Sequence, residues 1–355
     1  NGLYAPEQFR IVENMIETYT ASGDLQQAAE KQQYLLFLNQ QFYGNNSLQV
    51  VPALIALADW NMDAFFTGVR GSNSTGFSIT SSSGSFGNSR RRATAPPRVM
   101  AFGNLYRAQS NYYQAITNTV NNGDFRNPQL PELELKLIEA VFLGAYRQGL
   151  IENPDFYISQ RRTSTGTRIS RNNLNGNTIS YINGRNAWER LRIYQRNDPA
   201  ADPMDIARTM IGQGDWQMLF NRRLRALEFY QSAYDYLTEQ QIPPGQIAAL
   251  LSPAVPVQAP EFTALPHSRA KFGLPPEAEL DYAGYLDLSF NISRYGNVRN
   301  VEVIGKTDNA TKRIEQRLRR LLRAVPFRPR FIEGELSQSD DVQVRYYFAD
   351  AGSFN

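Results

Sequence analysis

The sequence predicts an α+β protein, with antiparallel helical hairpins over residues 1–252 and a small ββαβ layer over 280–355. Three observations lead there. Apolar residues recur at three- and four-residue spacings through the first part. Prolines crowd the stretch between, at 253, 256, 260, 266, 275 and 276. From Gly284 onward, apolar and polar residues alternate strictly.

The opening "PEQFRIVENMIETYTASGDLQQAAEKQQYLLFLNQQFYG" reads as two helices joined at "SGD". Phe9, Val12, Ile16 and Tyr19 stripe the first helix; Leu25, Ala28, Ala29, Leu35 and Leu36 stripe the second. The passage "DPMDIARTMIGQGDWQMLFNRRLRALEFYQSAYDYLTEQQIPP" repeats this plan. Its second helix is expected to bury Phe220, Leu224, Leu227, Tyr230, Tyr234 and Leu237, and to stop at Pro243 and Pro244. Gly-Asp pairs at Gly23-Asp24, Gly123-Asp124 and Gly214-Asp215 are expected between helices. Glycine tolerates the left-handed conformation that closes one helix, and aspartate accepts N–H bonds opening the next.

Two passages interrupt the helices. Residues 68–98 are rich in Gly and Ser and predict a surface loop, with Arg90, Arg91 and Arg92 as a basic handle for a partner. Residues 155–185 mix short β-like runs with Asn-Gly turns and predict a projecting hairpin. The Pro-rich stretch 253–279 suppresses helix and reads as a linker.

After the linker, "GYLDLSFNISRYGNVRNVEVIG" sets Leu286, Leu288, Phe290 and Ile292 on one side of a strand. "RYGN" turns the chain, and Val301 and Val303 begin a second strand. A basic helix follows, striped by Ile314, Leu318, Leu321, Leu322 and Val325, with Asn309 or Asp308 as its expected cap. The last strand points Val342, Val344, Tyr346 and Phe348 one way, and Gln343, Arg345 and Tyr347 the other.

The helical passages resemble degenerate tetratricopeptide repeats, through their "GD" turns and small Ala residues at helix crossings. Residues 280–350 resemble the C-terminal domain of the TonB family of periplasmic energy transducers. That resemblance rests on Gly284 with "YLDLSFNISRYGNVRNVEVI", the basic amphipathic helix, and "PFRPRF" followed by "VQVRYYF". Phe327, Arg328 and Pro329 match the family's aromatic-x-Pro element. The family's Tyr-Pro element before the first strand is absent, as are a membrane anchor and a long Pro-Lys/Pro-Glu spacer. The resemblance implies that an extended peptide of a receptor joins the sheet at the last strand. Val342, Gln343, Val344, Arg345, Tyr346, Tyr347 and Phe348 are the residues so implied.

Composition narrows the chemistry. The 355 residues include no cysteine and one histidine, His267, placed in the linker and expected to be exposed rather than catalytic. Thiolate zinc sites and a Cys-His pair are excluded. No phosphate loop, nucleophile elbow or dinucleotide fingerprint is present. Net charge is +3, and the aromatic residues fall on helix faces rather than a sheet platform, which argues against nucleic acid. No apolar run reaches the ~20 residues of a membrane span. Arg313, Arg317, Arg319, Arg320, Arg323, Arg328 and Arg330 cluster in a short interval. Most suit a solvated helix face, their stems lying over the apolar stripe. As a contact for an anionic surface, including peptidoglycan, the candidates are Arg319, Arg320, Arg323, Arg328 and Arg330.

These readings combine into a non-enzymatic periplasmic adaptor with no metal and no cofactor, any signal peptide or anchor having been removed. Its partners would be other envelope proteins, among them an outer-membrane receptor peptide. Two alternatives remain open. One is a TonB-type energy transducer lacking its anchor here, and the other an envelope glycan hydrolase using a carboxylate pair in the helical region.

Overall fold

A computed structural model of the protein describes residues 7–67, 97–147, 179–252 and 282–349. These are mostly helical, with a small antiparallel sheet near the C-terminus. They fall into two compact units, divided after Ala140.

In the first unit, α1 (Glu7–Ala21) and α2 (Leu25–Tyr43) form a hairpin. A 3-10 turn at Leu48–Val50 leads into α3 (Val51–Thr67), which pairs with α4 (Pro97–Asn121); α5 (Leu130–Arg147) belongs to this unit as far as Ala140. Val12, Ile16, Leu35 and Leu38 form one core cluster; Ala28 and Ala29 meet Trp60 and Ala64 in another. Small alanines let α2 approach α3 closely, with the Trp60 ring filling the space. The turn glycines behave as expected here, with φ of +77° at Gly23 and +81° at Gly123. Asp24 caps α2 by accepting from the Gln27 N–H at 3.2 Å.

The second unit contains α6 (Ile179–Asn197), α7 (Pro203–Leu219), α8 (Arg223–Glu239) and α9 (Pro244–Leu251), followed by the sheet. Helices α6 and α7 pack through two reciprocal contacts. Trp216 of α7 lies on Gly184 of α6, and Trp188 of α6 lies on Gly212 of α7. Both helices thus carry the same pattern, Gly-x-x-x-Trp, and a Cβ at either glycine would overlap the facing indole. Gly214-Asp215 is not a turn, contrary to the sequence reading. It lies inside α7, where Gly214 admits the Tyr230 ring of α8. The turn comes instead at Phe220–Arg222, with Asn221 at φ +59°. Consequently α8 buries Ala226, Tyr230, Ala233 and Leu237, whereas Leu224 is 74% exposed. Pro244 does not merely stop α8; it occupies the first turn of α9, where its missing N–H has no helical partner to lose. Residues 179–185 belong to α6 rather than to the expected hairpin. The rest of that segment, residues 68–96 of the expected loop, the 253–279 linker and His267 lie outside the described residues, and Pro97 and Arg98, expected in the loop, open α4 instead.

The sheet has the order β2-β1-β5, all antiparallel, from β1 (Tyr282–Ile292), β2 (Val298–Lys306) and β5 (Ser339–Ala349). Leu286, Leu288, Phe290 and Ile292 are all at most 1% exposed, as their alternation requires. Helix α10 (Lys312–Ala324) covers this face with Leu318 and Leu322, joined by Val325 just beyond its end. The oxygen opening α10 comes from Thr311, which accepts from the Ile314 N–H at 3.4 Å, rather than from Asn309 or Asp308. A short additional hairpin, β3 (Arg330–Ile332) with β4 (Glu335–Ser337), precedes β5. Its two turn residues both have positive φ, +52° at Glu333 and +87° at Gly334, the tight turn that follows strand twist.

The segment between α10 and β4 ties the sheet to the helices. Phe327 packs edge-on against Phe290 in the sheet core, with ring centroids 5.6 Å apart. Phe331 enters the core of α7–α9 and stacks on Tyr234. Between them, Arg328 donates to both carboxylate oxygens of Asp215, at 3.1 and 2.5 Å, while the Tyr230 hydroxyl donates to the same carboxylate at 2.7 Å. Ser252 Oγ donates to the Phe331 carbonyl at 2.9 Å. Helices α6–α9 and the sheet therefore make one compact unit.

Removing one partner of this buried pair leaves a charge without compensation. Asp215→Ala is expected to lower unfolding free energy by about 3 kcal/mol, read by urea denaturation. The double variant Asp215→Leu/Arg328→Met should recover most of that loss.

Candidate functional site

The described residues bring together two features with chemical content, the outer edge of β5 and a charged cluster in the first unit. Strand β5 lies at the margin of its sheet, with β1 on one side and no strand on the other among the described residues. Thr307 N–H donates to the Tyr285 carbonyl at 3.2 Å, so the Tyr285 peptide faces β2. Main-chain groups alternate sides along a strand. From Gly284 to Phe290 the register with β5 is unbroken, with Tyr285 opposite Tyr347 and Leu286 opposite Tyr346. Hence Tyr346, Val344 and Val342 pair with β1, while the N–H and C=O groups of Gln343, Arg345 and Tyr347 point off the sheet. The β2 edge differs. It carries a bulge opposite Asp287 and Leu288, which interrupts regular pairing there.

Side chains on β5 follow the expected alternation over the stretch where they are described. Val342, Val344 and Tyr346 pack on the sheet core, and Gln343 and Arg345 are exposed. Arg345, one of the residues implied to meet a peptide, is already engaged within the sheet. It makes a fork to Asp287 on β1 at 2.7 and 2.9 Å, and its guanidinium lies 4.0 Å from the centre of the Tyr285 ring. The Arg345 hydrogen bonds hold the Asp287 carboxyl below its usual range. The edge therefore offers main-chain groups beside a side chain already in use.

The predicted arginine contact divides. Arg319, Arg320 and Arg323 lie on α10, Arg319 half-buried and the other two exposed, with Arg320 Nε donating to the Gln316 carbonyl at 3.3 Å. Arg330 is exposed on β3. Arg328 is a structural cation, only 17% exposed at its side chain. Burial alone would lower its pKa, but Asp215 outweighs it and raises the value above the usual one. Sequence reasoning grouped it with its neighbours because a run of arginines shows nothing about which one turns inward.

The charged cluster of the first unit joins α3, α4 and α5. Asp59 accepts from the Tyr112 hydroxyl at 2.5 Å and from Lys136 Nζ at 3.1 Å, and Glu132 pairs with Lys136 at 3.4 Å. Glu139 lies half-buried near them. Burial pushes its carboxyl up to about 7; Lys136 opposes that shift and Asp59 adds to it. Burial and the Asp59 carboxylate both hold the Tyr112 phenol protonated well beyond its ordinary range. This places two carboxyl groups in unequal surroundings, the pattern acid-base pairs use. A cleft lies elsewhere, on α6–α8 in the second unit. Among the described residues, no group of three or more His, Cys, Asp or Glu side chains could hold a metal ion. Nor is any described helix long and apolar enough to cross a membrane. No protein-family model matches the chain, and no curated protein matches it.

Glu139 generates a pH dependence of stability. Its folded pKa, about 7, exceeds the ordinary glutamate value of 4.5. The folded protein therefore holds the proton more tightly, and stability falls as pH rises through that interval. Glu139→Gln should match the parent in thermal midpoint near pH 4. The variant should become the more stable of the two as pH rises, with the difference levelling off above pH 7.

Proposed function

We propose that this protein is a non-enzymatic adaptor of the bacterial periplasm that captures an extended peptide of another envelope protein on the outer edge of β5. The observation that carries this reading is the geometry of that edge. A regular, unbulged run of outward N–H and C=O groups at Gln343, Arg345 and Tyr347 is a template for one more strand. Main-chain pairing would supply affinity, and the exposed face beside Gln343 and Arg345 would influence which peptide fits. The TonB-like order of strand, hairpin, amphipathic helix and last strand supports the assignment to an envelope assembly, and the β2-β1-β5 sheet is consistent with it.

The helical hairpins contribute a second role in this proposal. Paired antiparallel helices with Gly-Asp turns at positions 23 and 123 support a tetratricopeptide-like array that holds another component of the same assembly.

Proline tests the edge directly, because it removes one outward donor without breaking the ladder to β1. The full chain, immobilised, is expected to retain a partner from solubilised envelope, and Gln343→Ala, which keeps the main-chain N–H, should retain most of it. Gln343→Pro should retain it at least tenfold less while keeping the parent's circular dichroism. A folded Gln343→Pro protein that captures as well as the parent would overturn strand addition.

A further inference from the structure

A cleft of about 580 Å³ opens on α6, α7 and α8, and none of its lining residues comes from the sheet. Helices α6 and α8 are its walls, and both run antiparallel to α7. On one side the Tyr181 hydroxyl donates to Gln217 while Trp188 meets Gly212; on the other the Arg222 N–H donates to the Gln217 carbonyl while Tyr230 meets Gly214. The two walls therefore run in the same direction. Each presents an arginine followed about one turn later by a glutamate, Arg185 and Glu189 on α6, Arg225 and Glu228 on α8.

On α6 the carboxylate is already in use, since Glu189 accepts from Arg192 at 2.6 Å and from the Gln213 amide at 2.9 Å. Arg185 donates to the neutral Asn186 side chain at 3.0 and 3.3 Å, which leaves its charge uncompensated. On α8, neither Arg225 nor Glu228 has a partner at its charged end among the described residues, and both are exposed. The same three-residue spacing closes elsewhere in this unit, Glu189 with Arg192 at 2.6 Å and Asp205 with Arg208 at 2.5 Å. Those pairs place the acid first, the order a helix favours, and Arg225–Glu228 reverses it. One wall thus offers a cation and a carboxylate that do not answer each other, with the half-buried Phe229 beside them.

We infer that this cleft binds a linear ω-amino acid, with its carboxylate on Arg225 and its ammonium group on Glu228. The uncompensated Arg185 on the facing wall adds attraction for the carboxylate, and the methylene chain lies against Phe229. The charges set the class. An ion of one sign leaves either Arg225 or Glu228 unanswered, and a neutral ligand leaves both. The spacing sets the length, because side chains three apart on a helix start about 5–6 Å from each other. An α-amino acid carries both charges on one carbon and does not span that interval, whereas a chain of several methylenes does. The volume suits such a small ligand.

Isothermal titration of the full chain with 5-aminopentanoate tests this, against pentanoate, pentylamine and glycine. Pentanoate lacks the ammonium group, pentylamine lacks the carboxylate, and glycine holds its charges on one carbon. 5-Aminopentanoate is expected to bind more tightly than each by about tenfold, the factor one charge-assisted bond supplies. Two variants show which charge meets which end. Glu228→Gln should weaken 5-aminopentanoate about tenfold and leave pentanoate unchanged; Arg225→Gln should weaken it similarly and leave pentylamine unchanged. Neither residue is buried, so both variants should keep the parent's thermal midpoint. Gln343→Pro should bind 5-aminopentanoate as the parent does, which separates this site from the β5 edge. Absence of binding, equal binding of any comparison compound, or a Glu228→Gln or Arg225→Gln protein that binds as the parent does would overturn the inference.

Discussion

The second unit depends on one carboxylate. Asp215 sits within α7 and accepts from Tyr230 on α8 and twice from Arg328, which comes from beyond the sheet's helix. Those three bonds consume most of its lone-pair capacity, and the guanidinium fork matches its geometry. A cation this far from water is tolerated only because its partner is fixed in place. Gly214 makes the arrangement possible, since it is where the Tyr230 ring reaches α7. Around this link the segment alternates its allegiance: Phe327 joins the sheet core, and Phe331 joins the helical one. Pro326 and Pro329 are buried between them, stiffening the connection.

Further contacts tie sheet and helices on the other side. The β1–β2 turn presents the Tyr295 carbonyl and the Asn297 side chain to Arg223 at the start of α8. Burial lowers the Arg223 pKa below its usual value. Gly296 in that turn, at φ +74°, accepts from the Phe327 N–H at 3.1 Å, and its missing Cβ is what allows the approach. With α10 over one face and these contacts at the turn, the sheet is held, and among the described residues no strand pairs with the outer side of β5. Its two edges differ as a result of sequence as well as position. The extra residue in β2 disrupts that edge, whereas 342–347 runs regularly. An edge left regular is the more capable of accepting a strand.

Much of the C-terminal part was legible in the sequence because alternation there has a single physical meaning. Leu286, Leu288, Phe290, Ile292 and Val301 could only face a core, and they do. The stripe of α1 was equally plain. Errors arose where one residue pair suits two jobs. Gly-Asp closes helices at positions 23 and 123, but at 214 the same pair serves packing and a buried ion pair. The available signal was the repeated Gly-x-x-x-Trp in α6 and α7, a spacing that sets a small residue and a large one on a single helix face. Leu227, Tyr230, Tyr234 and Leu237 still pack on the core of α7–α9, and only Leu224, in the first turn of α8, faces solvent. Capping at Thr311 instead of Asn309 was a matter of two residues, within the ordinary blur of helix ends.

By itself, the amino-acid sequence determined that this protein is helical first and alternating last, that it contains no thiol chemistry, and that its final strands share one apolar face. Those properties are local, since they follow from composition and from periods of two and 3.6 residues. Tertiary structure decided what no period encodes. It decided that Arg328 turns inward while Arg320 and Arg323 stay in solvent, and that Arg345 is occupied by Asp287. Among the described residues it also set β5 at the margin of its sheet. Each of these depends on residues far apart in the chain: Asp215 and Arg328 are 113 positions apart, and Asp287 and Arg345 are 58. Such pairs form only when packing brings their elements together, and a linear pattern carries no record of that.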